Sequence, residues 1–156
     1  MTNEQKQDFT LRISQANQST LVVILYDIFL TYVKEAAEAS PAESTFHIAL
    51  SKARGALSEL IDSLRLEYDI AQSTYQLYRF VERELIRADI QRKNDPIAPV
   101  IRIMQCLRDA YAQVAEKDTS EPLMKNTDVV YAGMTYGRHD VMTDSSAAGT
   151  NRGYLV

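Results

Sequence analysis

The sequence predicts an all-α protein: an antiparallel four-helix bundle with an extended N-terminal arm and a Gly/Ser-rich C-terminal tail. Apolar residues recur every three or four positions over four segments of about twenty residues, which is the period of a helix. The four prolines lie near the ends of these segments, and four of the five glycines follow the last one. No alternating apolar and polar run precedes the tail. Four such helices joined by short loops form a bundle.

The composition indicates one domain and excludes several functions. The 156 residues are 46% hydrophobic and 24% charged, which suffices for a single core. The net charge of -4 argues against nucleic-acid binding, because such proteins need a concentrated basic face. The first residues are polar, unlike a secretory signal, and the longest apolar run, 21–33, is too short to cross a bilayer. We expect a cytoplasmic protein without membrane insertion.

The first predicted helix, at 19–39, is apolar on nearly every side. Between Leu21 and Val33 only Asp27 and Thr31 are polar, so this helix should be either central in the bundle or buried by something besides its neighbouring helices. We expect one stripe to supply the core and a second stripe beside it to be surplus. The expected core face is Leu21, Ile24, Leu25, Ile28 and Tyr32, and the expected surplus is Val22, Val23, Phe29 and Val33.

The second helix is predicted at 41–66, where the sequence carries a start signal. Ser40 is the expected N-cap, Pro41 the first helical residue, and Glu43 the residue that completes a capping box. Its stripe of alternating three- and four-residue steps predicts one buried face. The stripe is Phe46, Leu50, Ala53, Leu57, Leu60 and Leu64.

The third helix is predicted at 69–94 and the fourth at 96–117. The fourth should begin at Asp95-Pro96, with Pro99 still inside the first turn, where a missing N–H group costs little. The chain then divides into an N-terminal arm at 1–18, a four-helix body at 19–118 and a C-terminal tail at 119–156.

Residues that could perform catalysis or hold a metal or cofactor are missing. A di-iron bundle needs two Glu-x-x-His pairs, but the sequence has only His47 and His139, and zinc sites need more than one cysteine and two distant histidines. We expect His47 at or near the surface and Cys106 as a small buried apolar residue. The sequence also lacks nucleotide-binding and hydrolase motifs. We therefore predict no catalytic residue, no metal and no cofactor.

Apolar residues exceed what four helices need to bury one another. A bundle helix needs about three apolar positions in seven, and several helices here carry a second stripe. Since monomers rarely expose large apolar patches, we expect a groove that binds an amphipathic helix of a partner. A fifth element, the tail or a self-dimer could cover the surplus instead. The expected groove residues are Ile61, Tyr75, Leu77, Phe80, Ile86, Ile90 and Ile103.

Apolar residues in the flanking segments could cover this groove in the absence of a partner. Phe9 and Ile13 interrupt the otherwise polar arm, and the stretch from Val130 to Tyr136 interrupts the tail. We expect Phe9 and Ile13 to contact the bundle.

The order of four short motifs resembles the FliS family of flagellar export chaperones. The motifs are ANQSTL at 16–21, Leu25, Tyr26 and Asp27 at the leucine-tyrosine-aspartate motif, LYRFVEREL at 77–85 and LRDAY at 107–111. Two residues depart from the family pattern. Gln18 replaces a proline and Ile28 a glycine, and the link before Asp69 is about two residues shorter than the family's.

The resemblance implies a cytoplasmic chaperone in an antiparallel four-helix bundle. Such a chaperone binds the disordered C-terminal segment of flagellin, prevents premature polymerisation and assists delivery to the flagellar type III export apparatus. A contact with the export-gate protein and weak self-association stay open. Two alternatives are a self-associating helical scaffold without a flagellin client and, on weaker grounds, a ferritin-like metal-binding bundle.

Overall fold

Five helices form the part of the chain that the computed structural model describes, residues 1–125. No strand occurs within these residues, which confirms the predicted all-α class. The helices are α1 (Asn3–Ser14), α2 (Gln18–Glu38), α3 (Ser44–Asp62), α4 (Asp69–Gln91) and α5 (Ile97–Lys117).

Helix α2 is central. It packs against α1, α3 and α5, and α4 in turn packs against α3 and α5. The contact is most extensive between α2 and α3, and it is least extensive between α1 and α2 and between α4 and α5. One main core fills the space among α2, α3, α4 and α5. Its largest side chains with almost no exposure include Tyr26, Phe29, Phe46, Tyr78, Leu85 and Met104.

The predicted division of α2 into a core face and a surplus face is wrong. Phe29 and Val33, expected as surplus, are completely buried in the main core. Leu25 and Tyr32, expected in the core, are only partly buried against it. The cause is that nearly all positions of α2 are apolar, so periodicity cannot distinguish its faces.

The predicted extended N-terminal arm is also wrong, because its residues form helix α1. The Thr2 hydroxyl accepts from the backbone N–H of Gln5 and the Gln5 side chain accepts from the Thr2 N–H, which completes a capping box. Phe9, 9% exposed, packs in a small second cluster with Ile24 of α2, and Ile13 lies against that cluster. The N-terminal segment therefore packs on the bundle as a fifth helix that covers part of α2.

Two predicted helix starts differ in detail from the structure. Helix α3 has Glu43 as its N-cap without a side-chain cap, so Ser40 forms no capping box. Ser40 instead precedes a turn, in which its carbonyl accepts from the N–H of Glu43. Helix α5 has Pro96 as its N-cap, also without a side-chain bond, and Pro99 lies in the first turn.

The predicted environment of His47 is confirmed and that of Cys106 is wrong. His47 is a surface residue, as predicted, with 67% of its side chain exposed. Cys106, predicted to be buried, is exposed on α5. It lies two residues after the buried Met104, which places it away from the buried side of α5.

Beyond α5, the chain from Asp118 to Leu123 runs back along the junction of α1 and α2. The Leu123 N–H donates to the carbonyl of Ala16 at 2.9 Å. The predicted apolar stretch from Val130 to Tyr136 lies outside the described residues. Among residues 1–125, no helix has the length and apolar character needed to cross a membrane.

Candidate functional site

The residues expected to form one groove lie on two opposite flanks of α4. The buried face of this helix is Ala71, Thr74, Tyr78, Val81, Leu85 and Ala88. At 100° per residue, Leu77 and Phe80 fall on one side of this face, and Tyr75, Ile86 and Ile90 fall on the other. The single predicted groove is therefore two separate surfaces.

The first surface follows the junction of α4 and α5, and we call it the α4–α5 strip. Leu77 and Phe80 are each 38% exposed, and Val114 of α5 is 59% exposed. Leu77 lines an open cavity of about 390 Å³ together with residues of α5. Because α4 and α5 approach each other least closely among the adjacent helices of the main core, this junction is open to solvent. The strip consists of Ile70, Leu77, Phe80, Ile103, Cys106, Leu107 and Val114.

The second surface lies on the α3 side of α4, and we call it the α3–α4 flank. It consists of Ile61, Tyr75, Ile86 and Ile90. Ile61 packs partly against the core, and Tyr75 and Ile86 are partly buried. Ile90, close to the end of α4, is 77% exposed. Near it, Nδ1 of His47 donates to the Asp89 carboxylate at 2.8 Å, which joins the start of α3 to the end of α4.

The motif residue Asp27 connects three helices. Its carboxylate accepts from Nη2 of Arg12 in α1 at 2.5 Å and from Nε of Arg108 in α5 at 2.8 Å. Partial burial raises the pKa of Asp27, but the hydrogen bonds from Arg108 and Arg12 outweigh it, so the pKa lies below its ordinary value. Asp27 is therefore ionised at neutral pH and fixes the positions of α1 and α5 on α2. Its neighbour Leu25 lies partly buried against the main core.

The motif tyrosines meet in the core. Tyr26 of α2 and Tyr78 of α4 share a hydrogen bond between their hydroxyl groups, with ring centroids 6.2 Å apart. Tyr111 of α5 lies 5.5 Å from the Tyr26 ring. Burial raises the pKa of all three phenols. Three of the four motifs that carry the family resemblance thus contribute one tyrosine each to the core contact among α2, α4 and α5.

A polar contact that sequence reasoning missed joins the start of α2 to the end of α5. Asn17 caps α2 by accepting from the Thr20 N–H, and its amide group donates to the carbonyls of Asp118 and Ser120. The Ser19 hydroxyl donates to the Asp118 carboxylate at 2.5 Å. Hydrogen bonds from Ser120 and Ser19 lower the pKa of Asp118 to about 2. Asparagine is a preferred N-cap residue, so Asn17 directly before an apolar helix was the sequence signal for this cap.

The described part of the chain offers few side-chain arrangements for metal binding or catalysis. Residues 1–125 contain no group of three His, Cys, Asp or Glu side chains placed to hold a metal ion. His47 contacts Asp89 near the α3–α4 flank, whereas Cys106 belongs to the α4–α5 strip. The histidine and the cysteine are therefore on different sides of α4.

Comparison with known proteins gives one family. The model of a family described as flagellar protein FliS matches residues 1–118. This range covers well over half of the chain and includes all five helices, α1 among them. No curated relative matches the chain.

Replacement of Asp27 tests its connecting role. Asp27→Asn leaves Arg12 and Arg108 without their carboxylate, so we expect the free energy of unfolding at neutral pH to fall by about 1–3 kcal/mol. Urea unfolding followed by circular dichroism measures this change. Asp8→Asn is the matched control, since the Asp8 carboxylate is exposed and lies 3.8 Å from Arg12. An equal loss in both variants would contradict the role of Asp27.

The tyrosine cluster predicts a loss of stability at alkaline pH. Tyr26 and Tyr78 have raised pKa values in the folded state, whereas unfolded tyrosine ionises near pH 10. The unfolded state therefore loses protons first, and stability is complete below about pH 10 and falls as the pH rises above it. The double variant Tyr26→Phe/Tyr78→Phe should show a smaller fall in urea-unfolding free energy, whereas the exposed Tyr68→Phe should behave like the wild type. Equal pH dependence in all three proteins would refute the prediction.

Proposed function

The chain belongs to the FliS family of flagellar export chaperones, and from this premise we propose that it is a cytoplasmic chaperone for flagellin. In this proposal it binds the disordered C-terminal segment of flagellin, prevents premature polymerisation and assists delivery to the flagellar type III export apparatus. The observation that carries the proposal is the exposed α4–α5 strip.

The strip has the properties of a binding site for an amphipathic helix. Leu77 and Phe80 are three residues apart on α4, and Ile103 and Leu107 are four apart on α5, so the apolar side chains form two parallel rows. A helix laid between two such rows contacts both with apolar residues at three- and four-residue steps. Of the residues expected to bind the client, we retain Leu77, Phe80 and Ile103 for this role.

The mechanism that we propose is competition for apolar surface. A free flagellin segment would bury its apolar residues against other subunits, and the strip offers an alternative surface. Ordering a disordered segment costs about 2–5 kcal/mol, which lowers the net affinity. Moderate affinity suits a chaperone that must release its client at the export apparatus. Contact with the export-gate protein is part of this proposal.

We also propose that α2 to α5 form an antiparallel four-helix bundle within the body at 19–118. Two contacts support opposite directions for neighbouring helices. His47 near the start of α3 binds Asp89 near the end of α4. Ser19 near the start of α2 binds Asp118, which directly follows α5.

Introduction of one charged side chain into the α4–α5 strip tests whether the strip is the client site. Phe80→Asp should reduce binding of a flagellin C-terminal fragment at least tenfold, because the client's apolar residues would face a carboxylate. Isothermal titration calorimetry measures the affinity, and circular dichroism verifies that helicity is unchanged. Ile48→Asp is the control, since Ile48 is an apolar residue of α3 that is 48% exposed. Unchanged affinity in Phe80→Asp would remove the strip as the client site.

Cys106 provides a second measurement without any mutation. It is the protein's one cysteine and lies exposed in the strip beside Ile103 and Leu107. A bound client should slow alkylation of the Cys106 thiol by iodoacetamide several-fold, since it covers the sulfur. The control is the Phe80→Asp protein, in which the same fragment should give no protection. Alkylation at the same rate with saturating fragment would place the client elsewhere.

A further inference from the structure

The α3–α4 flank is left without an assigned partner. Tyr75 and Ile90 lie fifteen residues apart on α4, which corresponds to about 22 Å along the helix axis. Tyr75, Ile86 and Ile90 do not belong to either apolar core cluster. This length matches about four turns of a helix, which is enough for a partner helix to contact the whole flank.

The adjacent face of α3 allows a close approach. Gly55 lies in the middle of α3, where glycine costs about 1 kcal/mol relative to alanine. A Cβ atom at this position would meet nothing within 4 Å, so internal packing does not require the glycine. Ser51 and Ser58, four residues before it and three after it, are also exposed. Small residues in this arrangement leave room for another backbone beside α3.

Two arginines along the flank have no ion-pair partner among the described residues, and neither has Asp62, which follows Ile61. Arg54 of α3 has its Nε buried without a hydrogen-bond partner, and no carboxylate of the described residues pairs with it. Arg83 precedes Ile86 by three residues, lies on the same side of α4 and is exposed. The two acidic residues of α4 on this side are already engaged: Glu82 with Arg79, and Asp89 with His47. A partner with carboxylates would supply the missing counter-charges.

The end of the flank opens into a cavity of about 500 Å³. Ile90, His47 and Phe46 are among its lining residues. The nearly buried Phe46 ring gives this cavity an apolar base, and the exposed Ile90 stands at its edge. The cavity has room for one apolar side chain at the end of a docked helix.

We propose that the α3–α4 flank binds an acidic amphipathic helix of a partner protein. The apolar face of that helix covers Tyr75, Ile86 and Ile90, its backbone passes close to Gly55, and its carboxylates pair with Arg54 and Arg83. This surface lies on the opposite side of α4 from the α4–α5 strip, so it binds its partner independently of the flagellin client. The chaperone thus holds two chains of different chemistry at once.

A synthetic peptide serves as the probe. It is an acetylated and amidated helix of about eighteen residues, with leucines three and four positions apart and glutamates beside them. Its counterpart carries lysine at every glutamate position. Fluorescence anisotropy with the full chain should show at least tenfold tighter binding of the glutamate peptide, and raised salt should weaken this binding.

Three variants locate the binding surface. Arg54→Gln keeps the length of the side chain without its charge and should weaken the glutamate peptide about tenfold. Ile90→Ser, at a position 77% exposed, should weaken it several-fold without loss of helicity. Phe80→Ser, on the other flank, should bind the peptide like the wild type.

Gly55→Gln separates binding from folding. The substitution replaces glycine in a helix interior, so we expect the melting temperature to rise by about 2–4 °C. The longer side chain fills the space beside α3, so peptide affinity should fall at least tenfold. Greater stability with weaker binding cannot result from a damaged fold.

Several outcomes would overturn the proposal. One is equal affinity for the glutamate and lysine peptides, and another is unchanged affinity in Arg54→Gln and Gly55→Gln. Loss of peptide binding in Phe80→Ser, or displacement of the peptide by the flagellin fragment, would place the peptide on the α4–α5 strip. A dimer in analytical ultracentrifugation that Ile90→Ser dissociates would make a second copy the occupant. Each result leaves the separate test of the flagellin client unaffected.

Discussion

Coverage of helix α2 is the constraint on which the architecture depends. This helix is apolar on nearly all sides, so one neighbour could not bury it. Helices α3 and α5 cover the side that carries Phe29 and Val33, and α1 covers the side that carries Ile24. Ile28 contacts both clusters. The N-terminal helix is therefore an integral part of the fold, and the family match begins at residue 1.

Polar contacts then fix which helix lies where. Apolar faces tolerate sliding and rotation, whereas a charge-assisted hydrogen bond requires one geometry. Asp27 supplies such a contact to both α1 and α5, and Tyr26 makes one hydrogen bond across the core to α4. The leucine-tyrosine-aspartate motif at 25–27 thus provides specificity of packing.

The parts of the fold that depend on periodicity were predictable, and the parts that depend on neighbours were not. The four long helices follow from apolar spacing, and α4 begins at Asp69 as expected. Helix α1 was missed because its sequence is mostly polar and its one buried residue, Phe9, is buried only by contact with α2. The capping pair of Thr2 and Gln5 was the sequence signal that could have predicted it. The faces of α2 could not be separated, since almost all of its positions are apolar. The two flanks of α4 could have been distinguished from the sequence. The helical positions of Leu77 and Phe80 place them on one side of α4, and those of Tyr75 and Ile86 place them on the other.

Helix α4 bears both candidate surfaces because of how it is held. Its six buried residues form a narrow stripe, and its hydrogen bond to α2 comes from Tyr78 within that stripe. A helix anchored along one line leaves both adjacent flanks accessible, whereas α2 is enclosed by three neighbours. The two flanks then differ in chemistry, since the α5 side adds an apolar row and the α3 side adds an unpaired arginine and a glycine. Large apolar patches on a monomer carry a risk of aggregation, and division of the apolar surface between two flanks reduces the size of each patch.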